Sequence, residues 1–409
     1  MTRVIHTGDT HVGYQQYNVP ARRDDFLDAF RQVVRDAIAD DADAVVHAGD
    51  LFHDRRPALT DIMGTLTVLE ELAEADIPFL AVVGNHEAKR DAQWLDLYES
   101  LGLATRLGDE PTVVGDTAFY GLDFVPRSQR EALDYDFAPH DADSAALVTH
   151  GLFQPFDYGD WDAEEVLTES SVAFDAMLLG DNHAPGKREV GDAWVTYCGS
   201  TERASASERE DRGYNIVTFD EEVRITRRGL DTRGFVFVDV ELGTEEGVER
   251  VRSRVGQHDL DDAVVIVSIS GDGDPVTPAS VESFALDNGA LVARVTDHRE
   301  LSVEEQDTEI TFADPDDAVT ERVRDLGLSE AAHDIDETIR ASKVADANVK
   351  DEVERHVRDL LSEDSDALAA DADASASDCP DDTDASAGSE AENGTAVNDD
   401  GQASVEEFL

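Results

Sequence analysis

The sequence predicts an α/β fold with a mainly parallel central sheet, because strand-like and helix-like segments alternate along the first 230 residues. The strand-like segments are short apolar runs, namely Val4–His6, Ala44–Ala48, Phe79–Val83, Ala145–Thr149 and Ala176–Leu179. Strand, helix and strand in succession imply right-handed crossovers between parallel strands. Each run leads directly into polar residues, and α/β proteins place their sites at the carboxyl ends of such strands.

Two segments between these strands have helical periodicity. The first has one apolar stripe, formed by Phe26, Phe30, Val33, Val34, Ala37 and Ile38. The second covers residues 60–75 and is apolar on more than one face, through Ile62, Met63, Leu66, Val68, Leu69 and Leu72. Burial in its own core and contact with a second copy of the chain both account for that pattern.

Further strands are predicted later in the first 230 residues, at Phe119–Leu122, Trp194–Tyr197, Tyr214–Phe219 and Val223–Arg227. We expect these strands to be antiparallel. They would either extend the central sheet or form a second one.

Beyond Gly229 the pattern is typical of a small α+β unit over residues 235–312. Its predicted elements are strands at Phe235–Leu242, Val264–Ile269 and Leu291–Val295 and a helix around Val248–Val255. Residues 316–361 have a helical pattern with one narrow apolar stripe, which would cap its own domain or dock on a partner. Residues 362–401 are rich in Asp, Ala, Ser and Gly, and we expect them to be a disordered acidic linker.

The chain is strongly acidic, with a net charge of −60. Only four lysines occur, and arginine supplies the other 29 basic residues. This charge indicates an acidic, solvated surface suited to a salt-loving host, because concentrated salt screens self-repulsion. A protein that must avoid nucleic acid is the alternative. DNA remains a possible substrate, because counterion release contributes little to affinity in molar salt.

The sequence also indicates a cellular compartment. No segment is apolar for long enough to span a bilayer. The first predicted strand begins at Val4, so we expect no signal peptide and a cytoplasmic protein. Cys198 and Cys379 lie far apart in unlike contexts, which argues against a structural disulfide or a zinc site.

Five polar stretches follow the apolar runs and contain the candidate metal ligands. In chain order they are Asp9-Thr10-His11, Gly49-Asp50, Gly84-Asn85-His86-Glu87, His150-Gly151 and Gly180-Asp181-Asn182-His183. Carboxylates, imidazoles and one amide in this series suit two divalent cations held side by side. Such a pair cleaves phosphate esters. Asp50 is the natural bridging ligand, since a carboxylate has two oxygens.

Two further histidines are candidates for contact with the phosphate. His86 directly follows the predicted ligand Asn85, and we expect it to protonate the leaving oxygen or to stabilise the transition state. His53 lies three residues past Asp50 and would help to orient the phosphate. We interpret His6, His47 and His140 as structural residues.

These motifs resemble the calcineurin-like metallophosphoesterase superfamily. Within it they are similar to the archaeal meiotic-recombination-eleven nucleases (SbcD in bacteria), which repair DNA double-strand breaks. The details that carry the resemblance are Gly8–Tyr14, Ala48–His53 and Tyr197–Ser200, the last followed by an arginine-rich stretch through Gly213. The resemblance covers residues 1–230 and implies a metallophosphoesterase β-sandwich with flanking helices as the nuclease domain.

The same resemblance implies the organisation of the rest of the chain. It extends loosely to a DNA-capping domain at 235–312. It also extends to C-terminal helices at 316–361 that bind an SMC-like coiled-coil ATPase with a zinc hook. The implied activity is that of a manganese-dependent nuclease, a 3′-to-5′ exonuclease on duplex ends and an endonuclease on single strands or hairpins. The family acts as a homodimer through helices of the phosphoesterase domain, with which the segment at 60–75 is compatible.

The resemblance further implies two manganese ions per chain. One would be held by Asp9, His11, Asp50 and His183, and the other by Asp50, Asn85, His150 and the residue at position 181. The family usually has Gly-His-x-His where this chain has Gly180-Asp181-Asn182-His183. Because a carboxylate is also a competent manganese ligand, we expect Asp181 to ligate the second ion.

The last eight residues look like the interaction motif of the sliding clamp PCNA. One helical turn would place Val405 and Phe408 on one side, as anchors for an apolar pocket. The motif consists of Gln402, Val405, Phe408 and Leu409. Short motifs also occur by chance, so these residues are equally well explained as an unselected terminus.

Two other functions fit parts of the pattern. A phosphodiesterase or phosphatase that acts on small molecules or proteins would share every ligand, but it would not need residues 235–361. A repair scaffold that has lost catalysis is favoured only by Asp181. The presence of His86 beside Asn85 argues against it.

Overall fold

The computed structural model describes residues 1–90 and 92–299. In chain order its strands are β1 (Thr2–Thr7), β2 (Ala44–His47), β3 (Phe79–Ala81), β4 (Thr105–Arg106), β5 (Thr112–Val114), β6 (Thr117–Leu122), β7 (Ser144–His150), β8 (Phe153–Gln154), β9 (Trp161–Asp162), β10 (Ala176–Gly180), β11 (Gly186–Val190), β12 (Ala193–Tyr197), β13 (Gly213–Phe219), β14 (Arg224–Gly229), β15 (Phe235–Leu242), β16 (Val264–Gly271) and β17 (Val292–Asp297). The helices are α1 (Pro20–Ala39), α2 (Leu59–Glu74), α3 (Trp94–Ser100), α4 (Arg127–Arg130), α5 (Ala163–Glu169), α6 (Val248–Val255) and α7 (Pro278–Asp287).

The first half of the chain forms two six-stranded sheets rather than one extended sheet. The first sheet has the order β14-β13-β1-β2-β3-β4, in which β1 to β4 are parallel. The second has the order β11-β12-β10-β7-β6-β5, in which β12, β10, β7 and β6 are parallel. The five apolar runs predicted as strands are all strands, and they are divided between the two sheets.

The expectation that the later strands are antiparallel is confirmed for β13 and β14, but it holds on only one side of β6 and β12. β6 pairs in parallel with β7, and β12 pairs in parallel with β10. In each case the antiparallel neighbour, β5 or β11, lies on the other side of the strand. The residue pattern of a strand does not encode the direction of its neighbours, because that direction depends on how the connecting chain returns to the sheet.

The two sheets pack face to face around a common apolar core. Val46 from β2 and Val148 from β7 both lie in it, together with the alanines Ala44 and Ala146. Small side chains on the facing strands help the sheets to approach closely, as in β-sandwiches. Each fully buried valine stabilises the fold by roughly 1.5–3 kcal/mol relative to an exposed one.

Helices cover the outer face of the first sheet. Pro20 begins α1. Proline is common at the first position of a helix, because the backbone N–H that it lacks would have no partner within the helix there. The predicted stripe of α1 is buried, with Phe26, Phe30 and Val33 fully inaccessible. α2 buries Val68, Leu69 and Leu72 in the same core, but Met63 remains 52% exposed. The C-terminal half of α2 therefore belongs to the core of its own chain, whereas its N-terminal half presents apolar surface to solvent.

Residues 235–297 form a separate three-stranded parallel sheet in the order β15-β16-β17. One face packs on α6 and α7 through Val251, Val255 and Val281. The other face contacts the loop after β1, through Tyr17 and Val19. Arg209 forms a bidentate pair with Asp239 of β15, at 2.7 Å for each bond, and so ties the loop after β12 to this sheet.

No helix within the described ranges is long and apolar enough to cross a membrane. Several predictions concern parts of the chain outside those ranges. They are the ATPase-binding helices at 316–361, the acidic linker at 362–401 and the clamp motif Gln402, Val405, Phe408 and Leu409.

Candidate metal centre

The five polar stretches meet at one end of the sandwich. β1, β2 and β3 deliver their stretches from the first sheet, and β7 and β10 deliver theirs from the second. Asp50 lies between two imidazoles, with its Oδ2 3.5 Å from His150 Nε2 and 3.8 Å from His11 Nε2. Its carboxylate is therefore placed where it can contact two cations at once.

The remaining predicted ligands surround Asp50. On one side, His150 Nε2 is 2.9 Å from Asn85 Oδ1 and 3.8 Å from Asp181 Oδ1. On the other side, His11 Nε2 is 3.1 Å from His183 Nε2. The structure thus brings together all seven candidate ligands, which are Asp9, His11, Asp50, Asn85, His150, Asp181 and His183.

Asp9 lies near both groups of ligand atoms. Its carboxylate is close to His11 and His183 in one group and to Asp50 and His150 in the other, with the ligand atoms of each group within 4.8 Å of one another. It also accepts the backbone N–H of Asp181, at 3.0 Å to Oδ1. Asp9 therefore lies near both groups, whereas the family resemblance implied that it contacts only one ion.

Several candidate ligands have a left-handed backbone conformation that L-residues seldom adopt. The φ angles are 48° at Asp9, 43° at His11, 56° at Asp50 and 92° at Asp181. Each such residue costs of order 1–3 kcal/mol and persists only when its surroundings hold it. Here the N–H of Asp9 donates to the carbonyl of Gly49, and that of His11 to the carbonyl of Asp50, both at 3.0 Å.

Two glycines let the chain segments approach closely at the centre. A Cβ on Gly49 would lie 2.5 Å from His150 Nδ1, and its φ of 91° also favours glycine. A Cβ on Gly84 would lie 2.1 Å from Asp50 Oδ1. Any side chain at these positions would displace a candidate ligand.

Two of the histidines are oriented through their Nδ1 atoms. His150 Nδ1 donates to the carbonyl of Ala48 at 2.8 Å, and His183 Nδ1 lies 2.7 Å from Glu208 Oε1. In both rings Nε2 is then directed into the cluster, which is the arrangement found for metal-bound histidines. The donor set of three carboxylates, three imidazoles and one amide, with these orientations, fits a pair of divalent cations.

Burial and charge shift the pKa values of the cluster. Burial raises the pKa of Asp9 to about 6, although the charge of His150 opposes it. Burial by itself would also raise the pKa of Asp50. The charge of His150 and a hydrogen bond from its ring outweigh burial and hold the pKa of Asp50 below its usual range. Burial opposes protonation of His150, yet the charge of Asp50 raises its pKa well above the usual value. Negative oxygens that attract a proton so strongly would also attract a divalent cation.

Glu87 is a buried carboxylate that the sequence analysis did not select. Its oxygens accept the backbone N–H groups of Leu51, Phe52 and Gly84 at 3.2–3.3 Å. Burial, followed by the charge of Asp50, raises its pKa to about 7. Glu87 therefore joins the loop that carries Asp50 to the loop that carries Asn85. Its position in the Gly-Asn-His-Glu stretch was the only sequence signal for it.

His86 and His53 lie beside the cluster on its solvent side. His86 is exposed, and its backbone N–H donates to Asp50 Oδ1 at 2.9 Å. Its Nδ1 lies 2.9 Å from the carbonyl oxygen of His53. The ring of His53 stacks on Tyr14, with 3.8 Å between centroids, and burial lowers the pKa of His53 to about 4.

The histidines interpreted as structural lie outside the cluster. His6 and His47 are fully buried, and His47 Nε2 contacts the hydroxyl of Thr10 at 3.0 Å. Burial lowers the pKa of both histidines to about 3, so both are neutral at pH 7. His140 is half-buried and lies edge-on to Tyr120.

Comparison with known proteins supplies the family. Residues 2–185 match the family model of the calcineurin-like phosphoesterases, in agreement with the predicted fold class. The chain is 65% identical over 372 residues to "DNA double-strand break repair protein Mre11" of Haloferax volcanii. The aligned residues cover 90% of this chain and 84% of that protein. It is 59% identical over 373 residues to the protein of the same name from Halobacterium salinarum, which covers 90% of this chain and 96% of that protein. The chain therefore belongs to the Mre11 family of DNA double-strand break repair nucleases, within the calcineurin-like metallophosphoesterases.

Proposed function

We propose that this chain is a manganese-dependent nuclease that processes DNA double-strand breaks together with an SMC-like ATPase. It would act as a 3′-to-5′ exonuclease on duplex ends and as an endonuclease on single strands. The observation that carries this proposal is the exposed imidazole of His86, which lies beside seven converging ligands because the backbone N–H of His86 donates to Asp50 Oδ1. An acid group next to a metal pair suits the hydrolysis of a phosphodiester, because the metals stabilise the developing charge and the acid protonates the leaving oxygen.

The ligands are proposed to divide into two sets that share Asp50. Asp9, His11 and His183 would hold one Mn²⁺, and Asn85, His150 and Asp181 would hold the other. Asp181 is supported by its Oδ1, which is 3.8 Å from His150 Nε2. When bound, two such ions activate water and neutralise the charge that develops on the phosphate oxygens.

The side chains near the cluster have separate roles in the proposed reaction. His86 Nδ1 faces the carbonyl of His53, so Nε2 is the ring atom left for the substrate. With a proton on both ring nitrogens, the imidazole would donate through Nδ1 to that carbonyl and deliver the Nε2 proton to the leaving oxygen. Proton transfer of this kind contributes typically 10²- to 10⁴-fold to a rate. His53, held flat against Tyr14, would orient the phosphate.

DNA as the substrate is supported by basic residues near this edge of the protein. Arg55 and Arg56 follow His53 closely in the sequence, and Lys89 and Arg90 follow His86, although the chain carries a net charge of −60. A cavity of about 380 Å³ beside His53 is lined by Tyr14 and Arg56 and by Arg23, whose guanidinium is paired with Asp61. Local cations of this kind can contact the phosphate backbone where the overall charge of the protein cannot.

Other parts of the chain are assigned by the family pattern. We propose residues 1–230 as the nuclease domain and 235–312 as a DNA-capping domain. Residues 316–361 would bind the ATPase, and residues 402–409 the PCNA clamp. A homodimer is supported by exposed apolar side chains on α2, on α3 and directly after α3, namely Leu59, Met63, Leu97 and Leu101.

The test is a nuclease assay on duplex DNA labelled at its 3′ end, in Mn²⁺, with and without the ATPase subunit. His86→Ala should cut at least about 100-fold more slowly than wild type while it still binds two Mn²⁺. His140→Ala removes a histidine outside the cluster and should cut at the wild-type rate. Robust cleavage by His86→Ala would contradict the role assigned to His86. If the wild-type protein hydrolyses a chromogenic phosphodiester but does not cleave DNA, the proposal that the chain is a nuclease is wrong.

A further inference from the structure

We propose that Glu208 is a positioning residue that orients His183 toward one of the two cations. This inference rests on the proposed function. Glu208 Oε1 lies 2.7 Å from His183 Nδ1, a short contact between a carboxylate and an imidazole. The side chain of Glu208 is only 12% exposed, so solvent competes little for this contact.

Glu208 is itself held in one orientation. Its second oxygen, Oε2, accepts hydrogen bonds from Arg212 Nη1 and the backbone N–H of Ala204, each at 3.1 Å. The hydroxyl of Ser200 donates to the same oxygen at 3.4 Å. One oxygen thus faces the imidazole while the other is fixed by three donors. The carboxylate cannot rotate without breaking several hydrogen bonds.

Arg212 holds both His183 and its partner. The arginine is 2% exposed, and its Nη1 also donates to the carbonyl oxygen of His183 at 3.2 Å. Its Nε and Nη2 both donate to the carbonyl of Glu210. A single buried guanidinium therefore holds the backbone of His183 and the carboxylate that orients its ring. The arginine-rich stretch after Tyr197 therefore stabilises the candidate metal centre, because its Arg212 bonds to both His183 and Glu208.

The other candidate histidine ligands have weaker partners. His150 Nδ1 donates to a neutral backbone carbonyl, that of Ala48. His11 Nδ1 has no hydrogen-bond partner among the residues that the structure describes. A carboxylate partner raises the basicity of an imidazole ligand more than a carbonyl does. His183 should therefore be the strongest of the three imidazole donors, and its cation site should depend on Glu208 more than the other site does.

The experiment compares Glu208→Gln with Glu210→Gln in the full-length chain. Both variants lose one negative charge, but the side chain of Glu210 is exposed. At position 208, a glutamine can offer one carbonyl oxygen to His183. Its NH₂ group then faces the donors of Arg212 and Ala204, which disrupts the network. Metal-free protein is titrated with Mn²⁺, and electron paramagnetic resonance of the free ion counts the bound ions at each concentration.

Wild type and Glu210→Gln should bind two Mn²⁺ with the same affinities. In Glu208→Gln one site should be 10- to 100-fold weaker, as is typical when a partner of a metal ligand is removed. The other site should keep its affinity. The weakened site should be the one that His183→Ala abolishes, which a general loss of structure would not produce. Unchanged affinity at both sites, or equal weakening of both, would overturn the proposal.

Glu208→Asp provides a second variant in case the glutamine protein does not fold. It keeps the charge near Arg212 but is one methylene shorter, so it should weaken the same site by a smaller factor. If both sites of this variant match wild type, Glu208 has no positioning role. Failure of the proposed function would look different, because wild type itself would then bind fewer than two Mn²⁺ or leave DNA uncut.

Discussion

Replacing His6 by leucine should make the stability of the metal-free protein less sensitive to acid. His6 lies on β1 and is completely buried. Burial lowers its pKa to about 3, an effect to which the charge of Arg227 adds, although the backbone of Leu179 partly opposes it. In the unfolded chain the same imidazole is solvated and titrates near its ordinary value of 6.5. Leucine also fills a buried position, but it has no proton to gain.

The direction and size of the effect follow from these two pKa values. Because the folded pKa is the lower one, the unfolded chain takes up the proton first as the pH falls. The contribution of neutral His6 is therefore complete above pH 6.5 and is lost as the pH falls toward 3. Each pH unit in that window costs about 1.4 kcal/mol, so lowering the pH to 5.0 should cost about 2 kcal/mol.

The measurement is urea unfolding followed by circular dichroism, for wild type and His6→Leu, at pH 7.5 and 5.0 with the same salt and chelator. The free energy of unfolding should fall by about 2 kcal/mol more in wild type than in the variant. Other buried groups such as His47 and Glu87 titrate in both proteins, so their effects cancel in the difference. His258→Leu, at an exposed position, controls for the loss of a histidine. Equal pH dependence of wild type and His6→Leu would refute the reasoning.

Three further predictions concern the candidate metal centre. Gly84→Ala would place a Cβ 2.1 Å from Asp50 Oδ1, so Mn²⁺ affinity by calorimetry should fall by roughly 10-fold or more. A Cβ at Gly108 would have no atom within 4 Å, so Gly108→Ala should bind Mn²⁺ with the affinity of wild type. Equal Mn²⁺ affinity in the two variants would contradict the proposed clash with Asp50. Asp181→Ala should bind one Mn²⁺ instead of two by elemental analysis, and two bound ions would remove Asp181 from the ligands. Mn²⁺ at 100 times its dissociation constant should stabilise wild type against urea by about 2.7 kcal/mol for each occupied site, a gain that chelator should abolish.

The sequence by itself determined the local elements that carry the candidate centre. Apolar runs ending in polar stretches located β1, β2 and β7, and the stripe from Phe26 to Ile38 located α1. These signals are local, because a strand or an amphipathic helix shows its periodicity within a few residues. The candidate ligands were found for the same reason, since each follows directly on a predicted strand.

Only the tertiary structure decided how these elements associate. The hydrogen-bonding edges of strands are chemically alike, so the residue pattern could not show that β12 pairs in parallel with β10. Nor could it show that Val46 and Val148, from two different sheets, belong to one apolar core. The contact of Glu208 with His183 likewise has no periodic signature, because the path of the intervening chain brings the two side chains together. Packing and chain connectivity act over long separations in sequence, whereas the patterns of a sequence report on near neighbours.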